Sequence, residues 1–316
     1  MDLSIVTTMF CSAPYIKEFH ERVTKEASRI TDDYEIILVN DGSPDDSLGI
    51  ALQLQNSDDK LKIIDLSRNF GHYKAIMTGL SHASGELIFL IDCDLEEKPE
   101  LLGEFIKAMK DSWAADETKG ADVVYGVQKS RKGKYFERIT GSIFYKVFNL
   151  MSSYPIPENA LIARLMTGRY VSSLLEYRDQ EVFLDGIQAL AGYRQIAVPT
   201  VKLHKGDTTY NLRRKLSVFV NSVTSFSNRP LIYIFFLGIA ISASAAAGTL
   251  YVIIKKLIDY THYKAGWPSM IASLWLIGGL IIFCIGVLGI YLSKIYMETK
   301  DRPYTIIRKI YEKKDK

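Results

Sequence analysis

The sequence predicts an α/β fold: a mostly parallel sheet with helices on both faces, followed by interfacial amphipathic helices and two transmembrane helices. Three observations lead there. Short apolar, β-rich runs alternate with helix-like stretches through about the first 200 residues. Two long runs near the C-terminal end, 231–254 and 269–292, contain no charged residue. Between these regions, apolar residues recur at helical spacing beside clusters of arginine and lysine.

The strand-like runs are LSIVTT from Leu3, YEIILVN (34–40), LKIIDLS (61–67), ELIFLID (86–92) and ADVVYGV (121–127). The stretch SPDDSLGIALQLQ reads as a helix with Ser43 as N-cap and Pro44 at its first position. In KPELLGEFIKAMK, Leu101, Leu102, Phe105, Ile106 and Met109 share one helical face. In such a sheet, ligands bind beyond the carboxyl ends of the strands. The polar stretches there are NDGSPDD, RNFGH, DCDLEE and QKSRKGK, and the topology can bring all four to one edge.

The fourth strand ends in Asp92-Cys93-Asp94, with Glu96 and Glu97 behind. Crowded carboxylates repel unless a cation or a solvated turn relieves them. Asp92 and Asp94 can reach one Mg²⁺ or Mn²⁺, with Glu96 as a third ligand, and a nucleotide diphosphate would complete the shell. No GxGxxG, P-loop, serine-hydrolase or HExxH motif occurs. The three cysteines form no CxxC pair or Cys/His cluster, which argues against a disulfide framework or a zinc site. A net charge of +3 gives no argument for nucleic acid as a partner.

Each uncharged run spans 24 residues, about 36 Å as a helix and enough to cross a hydrocarbon core of about 30 Å. The strand-like LSIVTTMF near the N-terminus leaves no signal peptide to expect. Arg213, Arg214, Lys215 and Arg229 precede the first run, and Lys294, Lys300, Arg302, Arg308 and Lys309 follow the second. The loop between them holds Lys255, Lys256 and Lys264. The balance places both termini and the globular domain in the cytoplasm of a multi-pass protein of the inner or plasma membrane. Ala240, Ser244 and Gly248 form a small-residue ridge suited to helix packing, compatible with a homo-oligomer. Phe136, Ile139, Ile143, Val147 and Leu150 form one amphipathic stripe, and Leu212, Leu216, Phe219, Val223 and Phe226 another. The expected organisation is therefore a globular domain over 1–210, a juxtamembrane helix over 211–229, a membrane region over 230–293 and a basic tail over 294–316.

The ordered set VNDGSPDDS, LSRNFGHYKAIMTGL, LIDCDLEEKPELL, VVYGVQKSR, ARLMTGRYV and SFSNRPL, then two apolar runs, resembles the polyprenyl-phosphate branch of family 2 glycosyltransferases, with the GT-A fold. The resemblance covers nearly the whole chain. It implies that Asp41, Arg68 and Asn69 bind the nucleotide and that Asp92 and Asp94 hold a metal on its diphosphate, Asp94 being counted as catalytic. Ser130 and Arg131 would receive the phosphate of an undecaprenyl or dolichyl phosphate, with Arg213, Arg214 and Lys215 nearby. The donor would be a nucleotide-diphosphate sugar and the second partner the lipid bilayer.

The chain departs from that pattern at four places. Glu96 replaces a frequent glutamine, Gln128 a frequent arginine, and TTMFCS a Pro-x-Tyr-Asn segment. Ile162 stands where relatives carry an acidic residue, which leaves Asp185 as a substitute candidate for a general base. A phosphate acceptor is already largely anionic near neutral pH and needs less help from a base. Two other functions stay open: a catalytically silent membrane scaffold, and a processive polysaccharide synthase. The second would call for more spans and an acceptor motif with an Arg-Trp pair that this chain lacks.

Overall fold

A computed structural model describes residues 1–116, 119–128, 157, 159–201, 224, 229–258 and 267–313. Strand β1 (Leu3–Met9) is buried along its whole length, as is β2 (Tyr34–Asn40) beside it. A strand covered on both faces must be apolar throughout rather than alternating, which is why LSIVTTM and YEIILVN read as continuous runs. Strands β3 (Leu61–Leu66) and β4 (Leu87–Leu90) flank this pair, both parallel to their neighbours.

Beyond β4 lie β5 (Val123–Gln128), β6 (Ala160–Thr167) and β7 (Gln195–Thr200). An eighth strand, β8 (Ile307–Tyr311), joins the opposite edge. The sheet order is β7-β5-β6-β4-β1-β2-β3-β8. β6 runs antiparallel to β4 and β5, and β8 antiparallel to β3; the remaining pairings are parallel. The mostly parallel α/β sheet is as expected. β8 falls inside the segment expected as a basic tail.

Helices α1 (Ile16–Ser28), α2 (Ser47–Gln55), α3 (His72–Leu80) and α4 (Leu101–Ala115) follow β1 to β4 in turn. In α1, Ile16, Phe19, Val23 and Ala27 are fully buried, the three- and four-residue spacing of one helical face. The five apolar residues expected on one face of α4 are all buried. Phe105 meets Phe89 of β4 edge-on, with ring centroids 6.2 Å apart. Such a pair contributes about 0.5–1.5 kcal/mol beyond its buried area. α3 lies so close to the sheet that a Cβ on Gly79 would stand 2.5 Å from Val6 Cγ1. Short helices α5 (Gly168–Leu175) and α6 (Leu184–Leu190) follow β6.

The N-terminus of α2 differs from expectation. The helix starts at Ser47 with Asp46 as N-cap, and Ser43 lies in the preceding loop. Asp45 carries out the tying: its Oδ1 accepts Ser43 Oγ at 2.6 Å and the Ser47 N–H at 3.1 Å, and also the Ser47 hydroxyl. Its Oδ2 accepts the Ala13 N–H at 3.0 Å, which fastens the loop after β1. Burial of the carboxylate works against ionisation, but these bonds prevail and bring its pKa down to about 2.

A second compact unit contains α7 (Arg229–Ile258) and α8 (Trp267–Glu298). The sequence predicts two membrane-spanning helices; among the described residues one, Ser273–Glu298 within α8, is long and apolar enough to cross a membrane. Its apolar window has a mean hydropathy of 2.4, and none of it is buried. α7 covers the other expected run as a continuous 30-residue helix. The amphipathic stripes over 136–150 and 212–226 lie outside the described residues, apart from Thr224 in the second stretch.

Candidate active site

The carboxyl ends of β1, β2, β3 and β4 lie side by side, and hydrogen bonds tie their loops into one cluster. Asp41 follows β2 and is almost fully buried, at 2% exposure. Its Oδ1 accepts the Phe70 N–H at 2.7 Å and its Oδ2 the Gly71 N–H at 3.1 Å, both from the loop after β3. Burial raises the Asp41 pKa, against the two backbone donors and the charges of His72 and Arg68. The family pattern assigns Asp41 to the nucleotide; in the structure its carboxylate shapes the loop that carries Arg68 and Asn69.

Gly42 makes that approach sterically feasible. Its φ is +60°, and a Cβ there would stand 2.4 Å from both Arg68 C and Asn69 N. Only glycine tolerates both the left-handed backbone and the contact. Arg68 and Asn69 are exposed at the rim. The Arg68 guanidinium lies 4.0 Å from the Phe70 ring centroid and donates to the Asn69 carbonyl at 2.8 Å, which fixes its direction.

The same loop ends at His72, the first residue of α3. His72 Nε2 lies 3.4 Å from Asp92 Oδ1, and Nδ1 lies 3.1 Å from Thr8 Oγ1 at the end of β1. Desolvation by the surrounding protein lowers the His72 pKa, against the charges of Asp41 and Asp94. A ring carrying a proton on Nε2 can donate to Asp92 while Nδ1 bonds the Thr8 hydroxyl. The expectations for RNFGH cover its arginine and asparagine and miss its histidine; the residue's place at the start of a helix beside an acidic strand end is the available signal.

The Asp-Cys-Asp sequence resolves into alternating directions. Cys93 points inward at 3% exposure, with its thiol 3.0 Å from the Thr8 carbonyl, while Asp92 and Asp94 on either side are partly exposed. Burial, reinforced by the charges of Asp92 and Asp94, pushes the Cys93 thiol up to about 12, so it is an unreactive core group. Leu95 then turns the chain with φ +62° while its side chain enters the core at 4% exposure. A non-glycine residue in that region costs about 1–2 kcal/mol, which burial of a leucine, about 1.5–3 kcal/mol, offsets.

The carboxylates behind the turn serve different ends. The Glu96 N–H donates to Asp94 Oδ1 at 2.9 Å and closes the turn. Glu97 is buried at 2% exposure and accepts the Ile162 N–H at 3.2 Å and the Ala163 N–H at 2.6 Å from β6. β4 and β6 pair with Leu90 opposite Arg164, so continuing that register by two residues brings Asp92 level with Ile162. The position that lacks the expected acid thus lies beside the acidic turn. Among the described residues no group of three or more His, Cys, Asp or Glu is arranged to hold a metal, so Asp92, Asp94 and Glu96 do not form a three-ligand set. Two adjacent carboxylates do fit a hard cation that keeps waters and substrate phosphates in its shell.

Asp185 lies in the first turn of α6, with Oδ1 3.8 Å from Arg164 Nη2. Arg164 is buried at 2% exposure and donates to the carbonyls of Leu161 and Ile162 and to Gln188. Burial raises the Asp185 pKa and Arg164 opposes that rise. The expected acceptor residues Ser130, Arg131, Arg213, Arg214 and Lys215 lie outside the described residues.

Comparison with known proteins agrees with this architecture. The sequence pattern of glycosyl transferase family 2 matches residues 4–168. A Mycobacterium tuberculosis relative named as a glycosyltransferase is 47% identical over 311 residues, covering 98% of this chain and 89% of its own. A prophage bactoprenol glucosyl transferase homolog of Escherichia coli K12 is 31% identical, covering 98% of this chain and 99% of its own. The bactoprenol glucosyl transferase of Shigella phage SfII is also 31% identical, with 98% of each chain covered. The chain belongs to glycosyl transferase family 2 and is a glycosyltransferase.

Proposed function

We propose that the protein moves a single sugar from a nucleotide-diphosphate donor to a polyprenyl phosphate in the membrane, with inversion at the anomeric carbon. One observation carries the donor side: the bonded chain from Asp41 through Phe70 and Gly71 to His72, and from His72 to Thr8 and Asp92, which gathers four strand ends into one polar cluster. The acceptor is supported by near full-length similarity to relatives named for bactoprenol, the apolar helix α8 included.

In this reading Arg68 and Asn69 line the nucleotide pocket that Asp41 shapes, and Asp92 and Asp94 hold Mg²⁺ or Mn²⁺. That cation, when bound, offsets charge on the departing nucleoside diphosphate. His72, 3.4 Å from Asp92 Oδ1, helps orient that carboxylate. The acceptor phosphate attacks as an anion, so alignment and charge stabilisation supply most of the rate. Ser130 and Arg131, with Arg213, Arg214 and Lys215, receive that phosphate.

The topology supports two membrane crossings. β7 and β8 belong to one sheet, so residue 200 and residue 307 lie on one side of any bilayer. An even number of crossings between them is what the sheet requires, and α7 beside α8 supports the reading of two spans. The distribution of basic residues supports a cytoplasmic sheet and cytoplasmic termini.

The test uses full-length purified protein with Mn²⁺, a short polyprenyl phosphate and a panel of radiolabelled nucleotide sugars. Label in the organic phase that requires the metal, and that Asp94→Asn abolishes, is the expected result. Metal-independent labelling would remove the role of Asp92 and Asp94. If no donor labels the lipid and no nucleotide binds, the reading fails.

A further inference from the structure

The edge strand β8 comes from the far end of the chain, and its pairing with β3 contains one irregularity. Asp65 pairs with Lys309 and Leu66 with Ile307, so Arg308 is the residue left out of register. A bulge re-aims the side chain it carries. The Arg308 guanidinium reaches across β3: Nη1 lies 3.3 Å from Asp65 Oδ2, and Nη2 donates to the Ser67 carbonyl at 2.7 Å. Asp65 is 1% exposed, and its other oxygen accepts Asn40 Nδ2 at 2.7 Å. The Asn40 Oδ1 in turn accepts the Ser43 N–H at 3.2 Å, closing the turn that contains Asp41 and Gly42.

We infer that Arg308 is a positioning residue for donor binding, acting through Asp65 and Asn40 on the 40–43 turn. One guanidinium touches the ends of both paths: the buried carboxylate that orients Asn40, and the carbonyl just before Arg68. A buried carboxylate needs its partners in place, and among the described residues Arg308 is the cation that forms an ion pair with it. The rest of the segment is fastened alongside. The Ser67 N–H donates to the Ile306 carbonyl at 2.8 Å, Thr305 Oγ1 bonds Thr78 Oγ1 at 2.8 Å, and the Tyr304 hydroxyl donates to the Tyr177 carbonyl at 2.6 Å. The chain that follows α8 is thereby part of the donor site's support.

The inference rests on the proposed donor site, and two measurements on the full-length protein separate the two claims. The first is amide exchange of the 40–43 turn without ligand. Arg308→Ala and Asp65→Asn should each speed it, and Arg308→Lys should restore part of the protection. The second is affinity for UDP and GDP with Mn²⁺. Arg308→Ala should weaken it about five- to tenfold with kcat changed less than about twofold, the pattern of lost uniform binding. Gln55→Ala is the control: it removes the 2.7 Å bond to the Tyr311 carbonyl of β8 and the 2.9 Å bond to the Leu61 carbonyl at the start of β3, four residues before Asp65, and leaves the Asp65 carboxylate's own bonds intact. It should lower Tm and leave affinity unchanged. Unchanged exchange in Arg308→Ala overturns the inference, as does equal weakening by Gln55→Ala. Altered exchange in a protein that binds neither nucleotide overturns the donor site and leaves the coupling of Arg308 to the turn standing.

Discussion

The buried carboxylate of Glu97 accepts the backbone N–H groups of Ile162 and Ala163, joining the acidic turn after β4 to the start of β6. These are charge-assisted bonds to backbone donors. Each is worth about 1.5–3 kcal/mol, and an orphaned buried N–H carries a penalty of similar size. Glu97→Gln retains one acceptor oxygen and faces the second N–H with an amide that cannot accept. A loss of roughly 2 kcal/mol is expected, read as a fall in Tm.

Gly42 and Gly103 give opposite results on substitution by alanine. At Gly42 a Cβ meets backbone atoms of Arg68 and Asn69 at 2.4 Å, and φ is already positive. The neighbours are main chain and cannot rotate away, so the loop must shift, at a cost of about 1–3 kcal/mol. Nucleotide affinity should fall with stability, because the same loop carries Arg68. Gly103 lies within α4, and an added methyl there would meet nothing within 4 Å, so Gly103→Ala should stabilise by about 0.5–1 kcal/mol. Paired thermal melts and nucleotide titrations check both.

Asp45 sets part of the acid limit of the fold. Its folded pKa of about 2 lies below the unfolded value of about 3.9. A depressed carboxylate contributes stability that is present above its unfolded pKa and lost as pH falls through its folded one. The contribution is therefore full at about pH 5 and mostly gone near pH 2. After discounting for solvent screening it amounts to about 1 kcal/mol. Tm measured from about pH 6 to about pH 2.5 should fall less steeply in Asp45→Asn than in the parent, from a lower starting value.

How much of this was legible in the sequence depends on the range of the contacts. β1 to β5 and the stripe of α4 are local patterns and lie in the expected stretches, with β4 stopping at Leu90, two residues before Asp92, and β5 starting at Val123. The NDGS turn and the DCD strand end were legible for the same reason, since each follows an apolar run directly. The division of labour among Asp94, Glu96 and Glu97 was not: three carboxylates in four residues look alike until the register of β6 shows which one meets its backbone. Ser43 reads as the cap of α2, yet Asp45 two residues on holds its hydroxyl. Arg308 and Asp65 are separated by 243 residues, and no local pattern links them. His72 reads as the end of a loop because its partners are Thr8, on β1, and Asp92, in the turn after β4.

Asp185 is the remaining carboxylate offered as a general base, and its surroundings argue for a different role. Among the described residues it forms an ion pair with the buried Arg164, at 3.8 Å, whose other donors hold Leu161, Ile162 and Gln188 in place. Burial raises its pKa, so neutralising it costs less than for an exposed aspartate. A phosphate acceptor, with a second pKa of about 6, arrives largely deprotonated and leaves no proton for a base to remove. Asp185→Asn should therefore keep kcat within about threefold and leave the acid limb of the pH–rate profile where the acceptor's own ionisation sets it, while Tm falls by the loss of the Arg164 contact. A hydroxyl acceptor deprotonated by Asp185 would give the other result: a base within reach typically contributes about 10²–10⁴-fold, and Asp185→Asn would lose rate on that scale with the acid limb abolished. The single variant thus separates a lipid phosphate from a hydroxyl acceptor that relies on Asp185 by the chemistry each requires.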